Sequence, residues 1–261
     1  MKLLSLAFPV LLAALISSGC VRTQPPVDMH RESAWSAFQA EAAGSPVTLS
    51  PAKDVLSGSI RFGLPQDTRR VTYMLWPVHA QENSRGLHGL RLEVNAGAGP
   101  SVCSALWQSG RITLLLHQEK QAWTCRDSRE NLGKLLGISL PLELPRIYAF
   151  LCGRSYSALG KPSPVSGTGG ASFAFGRDAL VSRITLRPDG SPVQLQTWDG
   201  WDVDVDYGDD RLPSRLDGKL KTPDGDLRFL LLVKGRAPLN AAQPPAGLSI
   251  PAGYSIRELD D

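Results

Sequence analysis

The sequence predicts a mainly β protein of the α+β kind, a single large curled antiparallel sheet forming an unclosed β-barrel of about eleven strands with helices covering the mouth. Three observations predict it. Short segments alternating between apolar and polar residues recur along most of the chain, the pattern of a strand with one face in a core. Turn residues separate these segments, and the chain holds 25 Gly and 20 Pro, most of them in those gaps. Helical spacing is confined to one stretch near the start and two in the middle. Short links between successive strands imply antiparallel pairing, and so wide a sheet must curl. A curled sheet with apolar inner residues and helices across its opening has a natural cavity.

The first element is not part of that fold. Lys2, the apolar run Leu3 to Ile16, the small residues Ser17-Ser18-Gly19 and then Cys20 describe a secretory signal of the bacterial lipoprotein kind. The apolar run is too short for a transmembrane helix, which needs about 20 residues. Residues 1–19 are therefore expected to be removed and Cys20 to carry covalent acyl lipid, the alternative being ordinary secretion with Cys20 left as a thiol; under the sorting rule of bacterial lipoproteins, which this signal resembles, Val21 rather than Asp after the Cys implies the outer membrane. Residues 20–29, with Pro25-Pro26, read as a tether, and residues 30–261 as one domain.

From His30 to Ala43 the apolar positions Ala34, Trp35, Phe38 and Ala42 form one helical stripe, which Gly44 and Pro46 end. Strands are expected at 56–62, 70–76 and 89–95, the last alternating cleanly as Leu90-Arg91-Leu92-Glu93-Val94. Residues 102–108 and 111–118 form a hairpin about Ser109-Gly110, and 122–125 adds a short strand. Residues 127–136 turn helical on Leu132, Leu135 and Leu136, and helical spacing resumes at 145–151 with Ile147, Phe150 and Leu151. Residues 158–170 read as a Gly/Pro/Ser-rich loop. Six strands follow, at 171–175, 180–186, 192–198, 201–207, 214–221 and 227–234, separated by turns such as Pro188-Asp189-Gly190 and Asp199-Gly200.

Composition narrows the function. The chain is 42% hydrophobic and 20% charged, enough for a sizeable core, and its net charge of +3 is too small and too evenly spread for nucleic acid. Cys103 and Cys125 fall on either side of the middle strand of a three-strand run, about 9–10 Å apart. That disfavours a bridge between them; a Cys125–Cys152 bridge is possible. His79, His88 and His117 match no metal-ligand spacing, and no metal is expected. Asp202, Asp204 and Asp206 share one strand face and, with Asp209 and Asp210, read as a solvated face rather than a calcium loop. No nucleophile–base constellation stands out, so an enzyme is not expected.

Two motifs then carry a likeness. Gly137-Ile138-Ser139-Leu140-Pro141-Leu142 with Leu151-Cys152-Gly153, and the ending Leu248-Ser249-Ile250-Pro251-Ala252-Gly253-Tyr254 through Leu259, follow each other in a helix, strands, helix pair, strands order. In this the chain resembles the LolA/LolB-like family of bacterial lipoprotein localisation factors, and within it the outer-membrane receptor. The resemblance implies a lipoprotein held at the periplasmic face of the outer membrane. It would bind the acyl chains of lipoproteins or lipids in an apolar cavity, receive them from a periplasmic carrier and pass them to the membrane. No cofactor is implied beyond the lipid on Cys20. The family receptor also uses an exposed Leu on a protruding loop, and Leu75-Trp76-Pro77-Val78 lies near the corresponding place. Trp35, Phe38, Tyr73, Leu75, Leu92, Leu114, Leu116, Leu136, Ile147, Phe150, Phe229 and Leu231 are the residues expected to line the cavity or core. The alternative is an assembly lipoprotein of the envelope, its core filled and its surface bound to a protein partner.

Overall fold

The computed structural model describes residues 27–44, 54–78, 89–97, 99–136, 140–167, 170–239 and 247–259. The expected signal, Cys20, His79, His88 and the Gly137–Ser139 part of the first motif lie outside these residues. The backbone forms one helix, six strands, three helices and eight strands. They are α1 (Val27–Gly44); β1 (Asp54–Leu64), β2 (Asp67–Val78), β3 (Gly89–Asn95), β4 (Ser101–Gln108), β5 (Arg111–Leu116) and β6 (Gln121–Arg126); α2 (Arg129–Leu136), α3 (Leu144–Leu151) and α4 (Ser155–Ala158); then β7 (Pro164–Gly167), β8 (Ser172–Phe175), β9 (Val181–Leu186), β10 (Pro192–Thr197), β11 (Asp202–Tyr207), β12 (Pro213–Thr222), β13 (Gly225–Pro238) and β14 (Ser255–Leu259). Helix α1 starts at Val27, so the stretch read as a tether is already helical over its last three residues. Among the described residues no helix is long and apolar enough to cross a membrane.

All the strands belong to one sheet, ordered β14-β6-β5-β4-β3-β2-β1-β13-β12-β11-β10-β9-β8-β7. The order is linear: β14 and β7 are the two edges and do not pair, so the curled sheet stays unclosed. Two strands exceed the expected set. β7 lies within the stretch read as a loop, and β14 runs parallel to β6, the one exception to antiparallel pairing among these strands. The register of the long central pair is set early in the chain. Leu56 faces Leu75 and Ile60 faces Val71 across β1–β2, and Ile60 faces Leu231 across β1–β13. A register shift at Ser57/Gly58 marks the joint between the two halves of the sheet. A Cβ on Gly58 would lie 1.8 Å from the Leu232 carbonyl oxygen, so only glycine lets β13 approach there. The expected hairpin about Ser109-Gly110 is present, with both residues at positive φ, 54° and 74°.

Period-two alternation puts one set of side chains on the concave face. Leu90, Leu92 and Val94 of β3, Ala105 and Trp107 of β4, and Ile112 and Leu114 of β5 are buried in one cluster with Phe229 and Leu231 of β13 and Val203 and Val205 of β11. Helix α3 lies in that cluster with Leu144, Ile147, Tyr148, Phe150 and Leu151 buried. Pro145 occupies its first turn, where a missing N–H removes no helical bond. Helix α1 contributes Ala34 and Phe38, and its Trp35 and Phe38 rings meet Tyr156, with Trp35 also against Phe173. The turn before β10 receives α1 closely. Gly190 has φ +84°, and a Cβ there would lie 2.5 Å from the Phe38 amide nitrogen.

Candidate apolar interior and its mouth

Helix α3 crosses the inside of the sheet, and its apolar face has nowhere else to go. The sequence Leu-Pro-Arg-Ile-Tyr-Ala-Phe-Leu buries all but Pro145 and Arg146 of the helix. Two polar anchors hold it. The Tyr148 hydroxyl donates to the Asp54 carbonyl at 2.7 Å, and the Arg236 guanidinium donates to the Leu151 carbonyl at 2.8 Å. Arg236 also pairs with Asp210 at 3.0 Å, so the helix is tied through one residue to β13 and to the turn before β12. Burial pushes the Tyr148 phenol, the Tyr73 phenol and the Cys152 thiol above their ordinary ranges, so all three are held protonated at neutral pH. The Cys103 thiol, buried near Glu93 and Glu119, is pushed up to about 12.

Beneath α3 is a small apolar gap of about 10 Å³, room for roughly one water, between Ile147 and Phe150 on the helix and Leu195, Val203 and Leu216 on the sheet. Pro141 and Leu142 close one side of it. The same two residues form the inner wall of a far larger cleft, about 510 Å³, open to solvent and lined also by Arg129, Glu143, Arg146, Leu180, Trp198 and Asp199. The interior and the mouth are thus separated by the Pro141-Leu142 segment. Arg129 reinforces that wall, donating to the Pro141 carbonyl at 3.1 Å and pairing with Asp199 at 3.1 Å. Arg146 pairs with Glu143 at 2.7 Å and donates to the Ala158 carbonyl. Asp127, in the turn leading to α2, has its carboxyl held above the usual range, first by burial and then by Glu143.

Of the residues expected to line a cavity, Ile147 and Phe150 face the gap. Phe38, Tyr73, Leu75, Leu92, Leu114, Phe229 and Leu231 are buried in the same core. Trp35 and Leu116 are partly buried against that core, and the Leu136 side chain lies outside the described set. Among the described residues, α3 lies against the inner face of the sheet with these side chains buried beside it. The gap is also lined by Pro141 and Leu142, which the sequence marks only as part of the Gly137–Leu142 motif, and by Leu195, Val203 and Leu216, which are not among the residues expected there. Alternation marks the three strand residues as inward-facing, but nothing in the sequence says that α3 would leave space there.

The convex face carries a polar network that links distant parts of the chain. The Ser104 hydroxyl donates to the Glu93 carboxylate at 2.5 Å and lies 2.7 Å from Nε2 of His117, whose Nδ1 lies 2.9 Å from the Tyr254 hydroxyl. Arg91 closes the chain on Glu93 and donates to the Gly247 carbonyl. Ser104 is 3% exposed and its proton points to Glu93, not to the imidazole. The network ties the C-terminal segment to the sheet, and β14 then adds its parallel ladder on β6. Among the described residues, Cys103, Cys125 and Cys152 form no disulfide with one another. The β11 carboxylates alternate outward as expected; Asp202 accepts from Gln194, and Arg215 pairs with Asp206 and Asp217.

No protein-family model matches the chain, and no curated protein matches it. Among solved structures, it is similar to a LolA superfamily protein from Nitrosomonas europaea, with 10% identity and a TM-score of 0.48 over 82% of this chain and 94% of that one. It is similar to a DUF1329 family protein from Desulfovibrio piger, with 10% identity and a TM-score of 0.48 over 82% of this chain and 95% of that one. A third similarity is to an uncharacterized conserved protein from Thermus thermophilus, at 8% identity and a TM-score of 0.38 over 85% and 98% of the two chains.

Proposed function

We propose that this chain is an acyl-chain-binding lipoprotein, anchored through Cys20 at the periplasmic face of the outer membrane. It would shelter the acyl chains of lipoproteins or lipids inside its sheet and pass them to the membrane. One observation carries the reading. Pro141 and Leu142 line both the apolar gap under α3 and a solvent-open cleft of about 510 Å³. In this reading α3 and the Pro141-Leu142 segment close over the interior. An acyl chain enters at the cleft, displaces the Pro141-Leu142 wall and α3, and takes over their contacts with Leu195, Val203 and Leu216. Each methylene moved out of water contributes about 0.8 kcal/mol, which offsets the packing that α3 gives up. No bond is made or broken, so no catalytic group is required. The sequence resemblance to the LolA/LolB-like family points the same way, to cargo received from a periplasmic carrier.

The small volume of the gap favours a second reading, an assembly lipoprotein whose core is simply filled and whose surface binds a protein partner. Titration of the signal-free protein with a fluorescent long-chain fatty acid separates the two. Transfer predicts saturable binding, competed by a diacylated lipopeptide and weakened by Leu142→Asp with the far-UV spectrum unchanged. A filled core predicts no saturable binding by either protein.

A further inference from the structure

Several charged side chains of the sheet are matched. Arg91 meets Glu93, Arg111 meets Glu258, Arg215 meets Asp206 and Asp217, and Arg236 meets Asp210. Four cations on the central strands are not. Arg61 stands directly opposite Arg70 across β1–β2, and Lys219 stands directly opposite Arg228 across β12–β13. The two couples adjoin, because Arg228 is the partner of Gly63, two residues beyond Arg61 on β1. All four side chains are exposed. Their chain neighbours Ile60, Val71, Leu220 and Phe229 pack in or against the core, so alternation turns these four to the convex face. Among the described residues none of the four forms an ion pair. The carboxylates around them are mostly engaged. Asp67 is paired with Arg69, Asp217 with Arg215, and Asp202, opposite Lys219 on its other side, accepts from Gln194. Asp204 lies one strand further out, opposite Asp217. Asp226, two residues before Arg228, stands opposite Lys221, a fifth cation of the same face. Like charges directly opposite each other disfavour strand pairing, so the sheet itself gains nothing from either couple.

We infer that this convex patch is a docking site for an acidic segment of a partner protein, laid across the strands in extended form. Directly opposite residues lie about 5 Å apart and diagonal ones about 7–8 Å, so Arg70, Arg61, Arg228 and Lys219 form a zigzag in that order over four neighbouring strands. Each couple closes on one carboxylate through charge-assisted hydrogen bonds. From the strand spacing and the rise per residue, the centres of the two couples lie about 12 Å apart. An extended chain repeats its same-side side chains about every 7 Å. Acidic residues at three successive alternate positions therefore reach from one couple to the other. Leu230, half-buried in the row between Arg61 and Asp217, gives such a segment an apolar contact midway. A bilayer fits this face less well. A convex sheet meets a flat surface along little more than one row, and the large apolar side chain exposed on these strands is Met74 at 38%, without the aromatic anchors that membrane interfaces favour. The inference goes beyond the proposed function, since an open or a filled interior leaves this face unchanged.

The test uses the chain from Val21 onward, which keeps every described element and lacks the anchor. A fluorescein-labelled peptide of alternating Glu and Thr is titrated at low salt and followed by anisotropy. Saturable binding that salt weakens is expected, and none to the same peptide with Gln in place of Glu. The pair Arg61→Thr with Arg70→Thr should lower the affinity by about tenfold or more, and Lys219→Thr with Arg228→Thr comparably. Both pairs should unfold thermally at or above the parent's midpoint, because each removes a like-charge pairing; lost binding is then not lost folding. Arg183→Thr, at an exposed cation on β9 outside the patch, should bind as the parent does. Absence of saturable binding to the Glu peptide overturns the inference, as does binding that the two pairs leave unchanged. Sedimentation with phosphatidylglycerol vesicles that the same pairs abolish, without peptide binding, overturns it too and reassigns the face to lipid phosphates.

Discussion

Truncating Phe150 to alanine separates a closed acyl-binding protein from a filled one. Phe150 is 1% exposed and sits on α3 against the gap shared with Leu195, Val203 and Leu216. Removing the ring loses its burial and leaves a cavity that neighbouring side chains only partly fill, a cost of about 3–5 kcal/mol. Domains of this kind are stable by about 5–15 kcal/mol in all, so Phe150→Ala should remain folded. Its urea midpoint should fall by about 1 M or more, taking a slope near 3 kcal/mol per M. The same truncation removes part of what an entering acyl chain must displace. Uptake of a fluorescent fatty acid should therefore tighten, by about tenfold for each 1.4 kcal/mol of closing energy removed. The assay pairs urea unfolding, followed by circular dichroism, with equilibrium titration of the probe. A destabilised protein that binds the probe more tightly fits the account. A destabilised protein with no gain in binding would show that α3 is core and not a displaceable lid.

Three further predictions concern the scaffold. Gly58→Ala sets a methyl against the Leu232 carbonyl, 1.8 Å from where its Cβ must go. It should cost about 3 kcal/mol or more, read as a lowered midpoint of thermal unfolding. The Cys103 thiol should resist Ellman's reagent at pH 8 until the protein unfolds; because its folded-state value is raised from 9.0 to about 12, its stabilising share is present below pH 9 and is lost between pH 9 and 12. Asp127 has its folded-state value raised above 3.8, so its ionisation favours the unfolded chain: stability is full below that value and declines as pH rises through the folded one. Asp127→Asn should therefore gain stability over the parent between pH 3.5 and pH 7, measured as the difference in urea midpoint, and an unchanged difference would contradict it.

The strands were legible where one face is buried and the other wet. Leu90, Leu92 and Val94 against Arg91 and Glu93 leave one register, and Val203 and Val205 between three aspartates do the same. The hairpin at Ser109-Gly110 was legible because few residues adopt two successive positive φ angles. β7 was not, since Pro164-Val165-Ser166-Gly167 has the composition of a turn and is a strand only because β8 offers an edge. The parallel pairing of β14 with β6 depends on contacts more than a hundred residues apart, among them His117 with Tyr254. The mouth is assembled from Arg129, Leu142 and Arg146 around the helices and Trp198 after β10, which no local pattern joins. The interior residues were recognisable as apolar, but whether they border space or one another is decided by how deeply α3 sits.

The central claim is that the interior under α3 takes an acyl chain. Native mass spectrometry tests it most directly, on the chain from Val21 purified from envelope extract and then mixed with a diacylated lipopeptide. The account predicts one lipopeptide per protein, removed by detergent and absent from a folded Leu142→Asp variant. A protein that stays free of lipid at saturating lipopeptide, with α3 as protected from hydrogen exchange as the central strands, would contradict it.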